Sequence, residues 1–287
     1  MFISPMLLAT APGPFSDPRY IFEPKIDGHR LIFSQQDGAV RLYTRHANDC
    51  TPQYPEIAGA LFEHDIVLDG EVACADPASG VSDFEAIMSR FQAKRADKIA
   101  RLSVTLPACF AVFDILRYKG EDLRRLPLIE RKAILADIAF PNANIGVVPF
   151  VECAGEALFA QIKARGMEGV VGKRRDGVYE TGRRSDSWRK LINWTHAEVY
   201  ITGYKKAEFG WLAGIADDRG KIRPAGIIQL GVTPTDKKAF FGVVKPLITG
   251  EDREFIYINP QIRAKVKMRN WTKAGFLRNP VFMNFIF

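Results

Sequence analysis

A lysine followed closely by an aspartate and an arginine is the group of side chains from which the chemistry of this chain can be inferred. Lys25 lies in the stretch Tyr20-Ile-Phe-Glu-Pro-Lys-Ile-Asp-Gly-His-Arg30, between two apolar runs. The pattern predicts a strand, a tight turn containing Gly28 and a second strand. Apolar neighbours at the rim of a sheet would disfavour the ammonium form of Lys25 and make its amine a usable nucleophile. Taken alone, the stretch also fits an ordinary hairpin with charged surface residues.

Two carboxylates lie two residues apart in the apolar stretch Ile66-Val-Leu-Asp-Gly-Glu-Val-Ala-Cys74. Alternate residues of a strand point to one face of the sheet, so Asp69 and Glu71 share a face. The surrounding apolar residues indicate a covered sheet, in which a carboxylate needs a cation, a metal or a hydroxyl group as its partner. A solvated strand face is the alternative interpretation.

Further candidate side chains, either charged or aromatic, stand on predicted strands or in the loops beside them. They are Arg45, Phe113, Glu168, Lys173, Arg183, Arg184 and Lys190. Structural interpretations remain open for several candidates. Phe113 fits a hydrophobic core, Glu71 an ion pair and Lys173 a surface charge.

The excess positive charge is concentrated in the last third of the chain. The whole chain carries 40 Lys and Arg against 33 Asp and Glu, a net charge of +7. Residues 1–194 contain 25 of each kind, which leaves 15 basic and 8 acidic residues in 195–287. Four cations alternate with apolar residues in the strand predicted at 262–271 and therefore share one face. They are Arg263, Lys265, Lys267 and Arg269. This distribution predicts a polyanion-binding segment, with a merely basic surface as the alternative.

Hydrophobic periodicity predicts an α+β chain, and the length of 287 residues favours about two domains. Residues 1–194 combine predicted strands with helices at 55–62, 81–91, 126–139 and 154–165. Short β-rich runs and one helix at 236–247 follow in 195–287. They suggest a small β-barrel of the oligonucleotide-binding (OB) type.

The composition disfavours several classes of protein. Hydrophobic residues make up 47% and charged residues 25%, as in ordinary globular proteins. No apolar run approaches the roughly 20 residues that cross a bilayer, and the N-terminus lacks a basic segment of the secretory kind. We therefore expect a cytoplasmic protein without a membrane partner. The four cysteines lie far apart and form no C-x-x-C motif, which predicts buried, reduced thiols.

Taken in order, these stretches resemble the signature of the covalent nucleotidyltransferases, which include ATP-dependent DNA ligases, RNA ligases and mRNA capping enzymes. The matching stretches are Lys25-Ile-Asp-Gly-His-Arg30 for motif I, Thr44-Arg45 for the arginine motif, Leu68-Asp-Gly-Glu71 for motif III, Phe113-Asp114 for motif IIIa, Glu168-Gly-Val-Val-Gly-Lys173 for motif IV and Trp188-Arg-Lys190 for motif V. The run from Tyr179 to Lys190 and the ending from Trp271 to Phe282 are closest to bacterial DNA-ligase domains of non-homologous end joining. The chain looks like a stand-alone minimal form of these domains.

The resemblance implies a fold and a reaction. The fold would be an adenylation domain of antiparallel sheets with flanking helices at 1–194, followed by an OB-fold DNA-binding domain at 195–287. Lys25 would attack the α-phosphate of ATP, expel pyrophosphate and carry AMP. AMP would then pass to the 5′-phosphate of a DNA nick. Asp27 would help the 3′-hydroxyl attack that seals the strand, and Lys190 would offset phosphate charge.

The resemblance also implies binding roles. In the nucleotide site, Glu23 would accept a hydrogen bond from the adenine amino group, Phe113 and Val171 would contact the two faces of the base, Glu71 would bind the ribose, and Lys173 would offset phosphate charge. Glu168 and Glu71 would hold Mg²⁺ or Mn²⁺. Arg30 and Arg45 would contact the nucleotide and the 5′-phosphate of the nick. The DNA-binding set would further include Arg183, Arg184, Lys265, Lys267 and Arg269.

Two departures from the family pattern concern the first chemical step. Motif V usually has a second lysine, where this chain has Ile192. The family also continues past the stretch Pro280–Phe282 into a basic motif that orients pyrophosphate, whereas this sequence ends at Phe287. Slow self-adenylylation, or replacement of these cations by others, is therefore expected.

The leading hypothesis is an ATP-dependent DNA ligase that seals nicks in duplex DNA during repair or end joining. An RNA ligase or capping-type enzyme shares motifs I and IV and remains an alternative. A catalytically impaired protein that binds nicks or ends is the other. The resemblance implies a monomer associated with the nucleoid, and Ku would act in trans if the chain takes part in end joining.

Overall fold

The computed structural model describes residues 1–76 and 78–286. The chain divides into two compact units, Met1–Asn193 and Trp194–Phe287. Each unit has a hydrophobic core of its own. We describe the two units separately.

The first unit contains eleven strands and five α-helices within the described residues. The strands are β1 (Leu7–Thr10), β2 (Tyr20–Pro24), β3 (His29–Gln36), β4 (Ala39–Thr44), β5 (Ile66–Ala73), β6 (Cys109–Tyr118), β7 (Glu121–Asp122), β8 (Ile145–Val147), β9 (Val151–Glu152), β10 (Gly169–Arg174) and β11 (Arg184–Ile192). The helices are α1 (Pro55–Ala58), α2 (Phe84–Phe91), α3 (Ala96–Thr105), α4 (Leu128–Ala136) and α5 (Gly155–Ala164).

One sheet of the first unit has the strand order β4-β3-β5-β6-β7, with β8 added beside β6. Strands β3 and β5 are antiparallel, and their register places Arg30 opposite Glu71 and Ile32 opposite Asp69. The largest core cluster of the unit covers one face of this sheet. A smaller cluster joins Ile32 of this sheet to Trp188 of the second sheet.

The second sheet of this unit has the order β1-β11-β10-β2-β9. Antiparallel pairing places Val171 of β10 between Glu23 of β2 and Lys190 of β11. The Lys25 amide donates to the carbonyl of Gly169 at 2.8 Å, which ties the residue after β2 to the start of β10. Three residues predicted to act in one site are thus neighbours in the backbone ladder.

The second unit contains seven strands and one α-helix within the described residues. They are β12 (Thr195–Lys205), β13 (Trp211–Ala216), β14 (Ile222–Ile228), α6 (Pro234–Val243), β15 (Ile248–Glu251), β16 (Phe255–Ile258), β17 (Arg263–Met268) and β18 (Val281–Ile286). The long strand β12 pairs with β13, β16 and β17. Strand pairing does not close these described strands into a barrel, although a single parallel bridge joins Leu230 to Val281 of β18.

Local sequence accounts for where two helices begin. The Asp83 carboxylate accepts a hydrogen bond from the Ala86 amide and caps α2. Thr233 and Asp236 form a reciprocal capping box at the start of α6, and Pro234 takes the first helical position. Each cap satisfies amides that have no partner inside the helix.

Most predicted elements are confirmed, and the differences have local causes. The helix predicted at 55–62 ends at Ala58. Strands β8 and β9 are short and separate, because Pro149 between them has no amide to donate to a ladder. Strand β1 and helix α3 were not predicted, since the first lies in a Pro-rich segment and the second in a run read only as basic.

The four cysteines are free thiols, but they are not all buried. Cys50 and Cys74 lie in the core, as predicted. Cys109 and Cys153 are exposed, so the prediction is wrong for these two. Cys109 is the first residue of β6, and Cys153 directly follows β9. Among the described residues, no helix is long and apolar enough to cross a membrane.

Gly28 is predicted to be required for stability, because a side chain there would collide with the neighbouring strand. A Cβ atom on Gly28 would lie 2.0 Å from the Val72 carbonyl oxygen, a backbone atom that no side-chain rotation can move away. Gly28→Ala is expected to lower the free energy of unfolding by about 1–3 kcal/mol. Urea unfolding measures this change. Gly146→Ala is the matched control, since its Cβ would meet nothing within 4 Å; equal losses in the two variants would contradict the prediction.

Candidate active site

A pocket in the first unit lies between its two sheets. Residues of both sheets line it: Leu8, Glu23, Pro24, Lys25, Ile26, Arg30, Glu71, Phe113, Val171, Lys173 and Trp188. Seven of the residues predicted from sequence to bind a nucleotide or react with it are therefore brought together: Glu23, Lys25, Arg30, Glu71, Phe113, Val171 and Lys173.

The Lys25 amine forms an ion pair with Glu168. Its Nζ atom lies 2.8 Å from Glu168 Oε2, and the two side chains are 17% and 5% exposed. Glu168 directly precedes β10, where the Asn193 amide donates to its carbonyl. Because Gly169 has a φ of +154° and a Cβ there would meet the Leu191 carbonyl, the chain can take this path only with glycine beside Glu168.

Arg30, which lines the pocket, forms a buried, bidentate ion pair with Asp69. Arg30 Nε and Nη2 donate to the two Asp69 oxygens at 2.5 and 2.6 Å. The Tyr179 hydroxyl also donates to Asp69, at 2.6 Å, and accepts from the Met6 amide. The partners that the sequence required for Asp69 are thus a cation and a hydroxyl group. The Arg30 guanidinium lies 4.7 Å from the centre of the Phe113 ring.

Glu71 is held in an environment that favours its protonated form. Burial raises the pKa of this carboxyl from 4.5 to about 7, and the charges of Glu168 and Asp69 act in the same direction. Lys25 and Arg30 oppose the rise, but their attraction is smaller than the cost of desolvation. Acids perturbed in this way are concentrated at functional sites.

Glu23 is buried between two lysines on the wall of the pocket. Its Oε2 atom lies 2.7 Å from Lys173 Nζ, and its Oε1 atom pairs with Lys132 of α4. All three side chains are 3% exposed or less. Burial lowers the pKa of Lys173 from 10.5 to about 8; Glu23 opposes this shift and Lys132 adds to it.

Aromatic rings surround the Lys173 ammonium. Its Nζ atom lies 4.1 Å from the centre of the Phe113 ring and 4.2 Å from that of Trp188. The two rings meet edge to face at 5.9 Å. These contacts combine an apolar surface with cations in the same pocket.

Several predicted residues lie outside the residues that line the pocket. Asp27 and Lys190 are half-buried, and Lys190 lies on β11 opposite Val171. Arg45 is exposed in the turn after β4, where its Nη2 atom lies 3.3 Å from His46 Nε2. Arg183 and Arg184 are exposed as well, and Arg184 donates to the carbonyl of Leu8. Their proposed contacts with DNA stay predictions.

The basic strand of the second unit alternates as predicted, although it is shorter than 262–271. In β17, Ala264, Val266 and Met268 are buried, and the cations between them reach the other face. Lys267 and Arg269 lie 5.1 and 5.4 Å from the centre of the Trp194 ring. Lys265 is exposed on the same strand.

Sequence reasoning missed two side chains of this region. Trp188 was noted only as part of a motif, yet it forms a pocket wall. Lys132 was not noted at all, because a single lysine in a helical pattern normally marks a solvated face. The structure shows that Lys132 is only 4% exposed. Burial of a lysine is rare unless it is paired, so this burial is the signal that identifies it.

The carboxylates of the site suit a magnesium ion better than a closed metal centre. Within the described residues, no group of three or more His, Cys, Asp or Glu could hold a metal. Glu71 and Glu168 act on each other electrostatically and both act on Lys25. Two carboxylates that leave room for substrate phosphates and water fit the usual coordination of Mg²⁺.

The comparisons with known proteins agree with this geometry. The family model described as ATP dependent DNA ligase domain matches residues 7–191. The chain therefore belongs to the ATP-dependent DNA ligase family, enzymes that join DNA strands using ATP. The match covers both sheets of the first unit and every residue that lines the pocket.

Individual relatives differ in how much of their length this chain spans. It is 37% identical to the SPbeta prophage-derived DNA ligase-like protein LigB of Bacillus subtilis (strain 168), over 98% of each chain. It is 31% identical to the multifunctional non-homologous end joining DNA repair protein LigD of Mycobacterium tuberculosis (strain H37Rv), over 91% of this chain but only 35% of that protein. The solved structure of mycobacterial DNA ligase D complexed with ATP and MES matches 99% of this chain and 95% of that one, with a TM-score of 0.60 at 28% identity.

Glu71→Gln is predicted to stabilise the metal-free protein at high pH only. The folded state raises the pKa of Glu71, so its contribution to stability is complete below pH 4.5 and is lost as the pH rises through about 7. Glutamine resembles the protonated acid at every pH. The variant should therefore gain up to about 3 kcal/mol over the parent at pH 8 and little at pH 5.

Urea unfolding in the presence of EDTA measures the stability of both proteins at the two pH values. Glu63→Gln is the matched control, because that side chain is 88% exposed. A stability difference between Glu71→Gln and the parent that is the same at pH 5 and pH 8 would contradict the prediction.

Proposed function

We propose that Lys25 is the nucleophile of a DNA-ligation reaction in three steps. Its neutral amine forms a bond to the α-phosphorus of ATP as the bond to pyrophosphate breaks, which leaves AMP on Lys25. AMP then passes to the 5′-phosphate of a nick, and the 3′-hydroxyl displaces AMP to form the phosphodiester. The observation that carries this proposal is the Lys25 amine at the pocket, 2.8 Å from Glu168.

The wall residues support the proposed roles in nucleotide binding. Phe113 and Val171 both line the pocket and offer apolar surface to a base. Glu23 would offer carboxylate oxygens to the adenine amino group, and Glu71, which lines the same pocket, would bind a ribose hydroxyl. Lys173 contacts Glu23, so we assign it to the base end of the pocket as well as to phosphate charge.

Glu71 and Glu168 would hold Mg²⁺ in this proposal. Bound there, the ion would neutralise charge on the phosphates of ATP. Glu168 also holds the Lys25 amine by an ion pair. The amine must lose a proton and leave this carboxylate before it can attack. Asp27 and Lys190 keep the roles of assisting the 3′-hydroxyl and offsetting phosphate charge.

The second unit is proposed to be an OB-fold domain that binds nicked duplex DNA, with a domain boundary near residue 195. Its supporting features are seven short strands, one helix and the single bridge that joins Leu230 to β18. The cationic face of β17 supports binding through phosphates, which is independent of base sequence and sensitive to salt. Arg30, Arg45, Arg183 and Arg184 complete the proposed DNA-binding set.

A place in end joining follows from the relatives named above and is part of the proposal. LigD combines several functions in one longer protein, whereas this chain spans about a third of its length. Ku, acting in trans at DNA ends, is the partner proposed for end joining. We further propose a monomer that works on DNA at the nucleoid.

Lys25 is predicted to become covalently adenylylated. The purified protein, incubated with ATP and Mg²⁺, should gain the mass of one AMP in intact-mass spectrometry. Lys25→Ala should gain none, whereas Lys98→Ala, which removes an exposed lysine of α3, should behave as the parent does. An adduct that survives in Lys25→Ala would rule out this nucleophile.

The same preparation separates the alternative functions. An adduct with GTP in preference to ATP would favour a capping-type enzyme, and sealing of RNA but not DNA would favour an RNA ligase. A parent that forms no adduct and does not seal a pre-adenylylated nick would be a binding protein.

Lys265 is predicted to contact a DNA phosphate. Lys265→Ala should weaken binding to nicked duplex DNA of every sequence. It should also reduce the slope of log K against log salt by about 0.9, because one fewer counterion is released. Fluorescence anisotropy at several salt concentrations measures both quantities. Lys163→Ala, an exposed lysine of α5, is the control; an unchanged slope in Lys265→Ala would refute the contact.

A further inference from the structure

We propose that Lys132 is a positioning residue that gives the pocket its preference for adenine, by fixing the Glu23 carboxylate as an acceptor for the exocyclic amino group. The inference deepens the proposed function and rests on it, because it requires the base to bind beside Glu23. Lys132 itself does not line the pocket, whereas Glu23 and Lys173 do. Lys132 therefore reaches the nucleotide through its ion-pair partner Glu23.

The two lysines hold different oxygens of the same carboxylate. Lys132 pairs with Oε1 of Glu23, and Lys173 pairs with Oε2. A carboxylate that is gripped at both oxygens cannot rotate without breaking an ion pair. Each oxygen still has a lone pair to offer, since a carboxylate provides about four acceptor positions.

Helix α4 is anchored so that Lys132 reaches Glu23. The neighbouring Arg131 is fully buried and donates to both oxygens of Asp114 on β6, at 2.8 and 2.9 Å. This bidentate pair fixes the helix against the sheet one residue before Lys132. The Lys132 ammonium also lies 5.7 Å from the centre of the Phe150 ring.

Stability alone does not account for this cluster. One buried carboxylate needs one cation, yet here two buried lysines meet a single glutamate and leave an excess positive charge out of water. Burying that charge is unfavourable. The pKa of Lys173 is accordingly lowered to about 8, mainly by burial and also by the charge of Lys132. Perturbed charges that cost stability are characteristic of functional sites.

The chemistry of the cluster distinguishes purines. An ionised carboxylate only accepts hydrogen bonds, and the amino group of adenine donates them. Guanine presents a carbonyl oxygen at the equivalent position, which would face the Glu23 oxygens as a second acceptor. A purine without an exocyclic group would donate no hydrogen bond to them. Lys132 therefore contributes to the preference by keeping the Glu23 carboxylate in place.

The test compares ATP with purine riboside triphosphate, which lacks the amino group. Initial rates of adduct formation on Lys25 give the preference for ATP in the parent, Lys132→Met and Lys132→Arg. We expect Lys132→Met to reduce this preference by about 10-fold or more, mainly through the KM for ATP, because a hydrogen bond to a charged group is weakened. Lys132→Arg keeps the cation and should retain the preference.

A merely structural role would give a different result. Loss of packing at α4 would slow both nucleotides by the same factor, and this outcome would overturn the inference. So would an unchanged preference in Lys132→Met. A parent that forms an adduct with neither nucleotide would instead overturn the proposed function, so the two failures are distinguishable.

A second pair of variants covers the case in which Lys132→Met does not fold. Glu23→Gln and the double variant Glu23→Gln with Lys132→Met remove the carboxylate in both proteins. If Lys132 acts through Glu23, the two variants should prefer ATP to the same extent, since effects within one network are not additive. A further change of more than about threefold in the double variant would show that Lys132 acts independently of Glu23 and would overturn the inference.

Discussion

The buried ion pair between Arg30 and Asp69 is the interaction on which the rest of the site depends. It joins β3 to β5 within one sheet, and through the Tyr179 hydroxyl and the Met6 backbone it reaches the segments beside the other sheet. Breaking such a pair would leave a charge buried without its counterion, which costs about 3–5 kcal/mol. This network of hydrogen bonds therefore ties the two sheets together beside the pocket. The Arg30 guanidinium also lies 4.7 Å from the centre of the Phe113 ring, which lines the pocket.

The pocket also buries ionisable side chains, and burial disfavours their charged forms. Burial raises the pKa of Glu71 and lowers that of Lys173, so an acid and a base are both pushed toward neutrality. The Lys25 amine remains tied to Glu168. A site that must accept a triphosphate benefits from this arrangement, because cations and dehydrated carboxylates are already in place when the ligand arrives.

Much of the fold was predictable from local sequence. Alternating apolar residues identified strands such as β3, β4 and β5, and the pairing of Glu23 with Val171 follows once β2 and β10 are antiparallel neighbours. Elements without periodicity were missed. Strand β1 lies in a Pro-rich segment and joins the sheet only through parallel pairing with β11, a contact between residues about 180 positions apart that no local pattern encodes.

The sequence by itself determined which chemical groups lie close together along the chain: a lysine beside an aspartate and an arginine, two acids on a covered strand, and a separate basic strand with its cations on one face. These features are local, since they depend on spacings of a few residues and on period-two alternation. Only the tertiary structure decided which charges pair. Asp69 binds Arg30, Lys25 binds Glu168, and Lys132 is buried against Glu23. Such partners are selected by desolvation, which depends on the packing of distant segments and is not written in any single stretch of the chain.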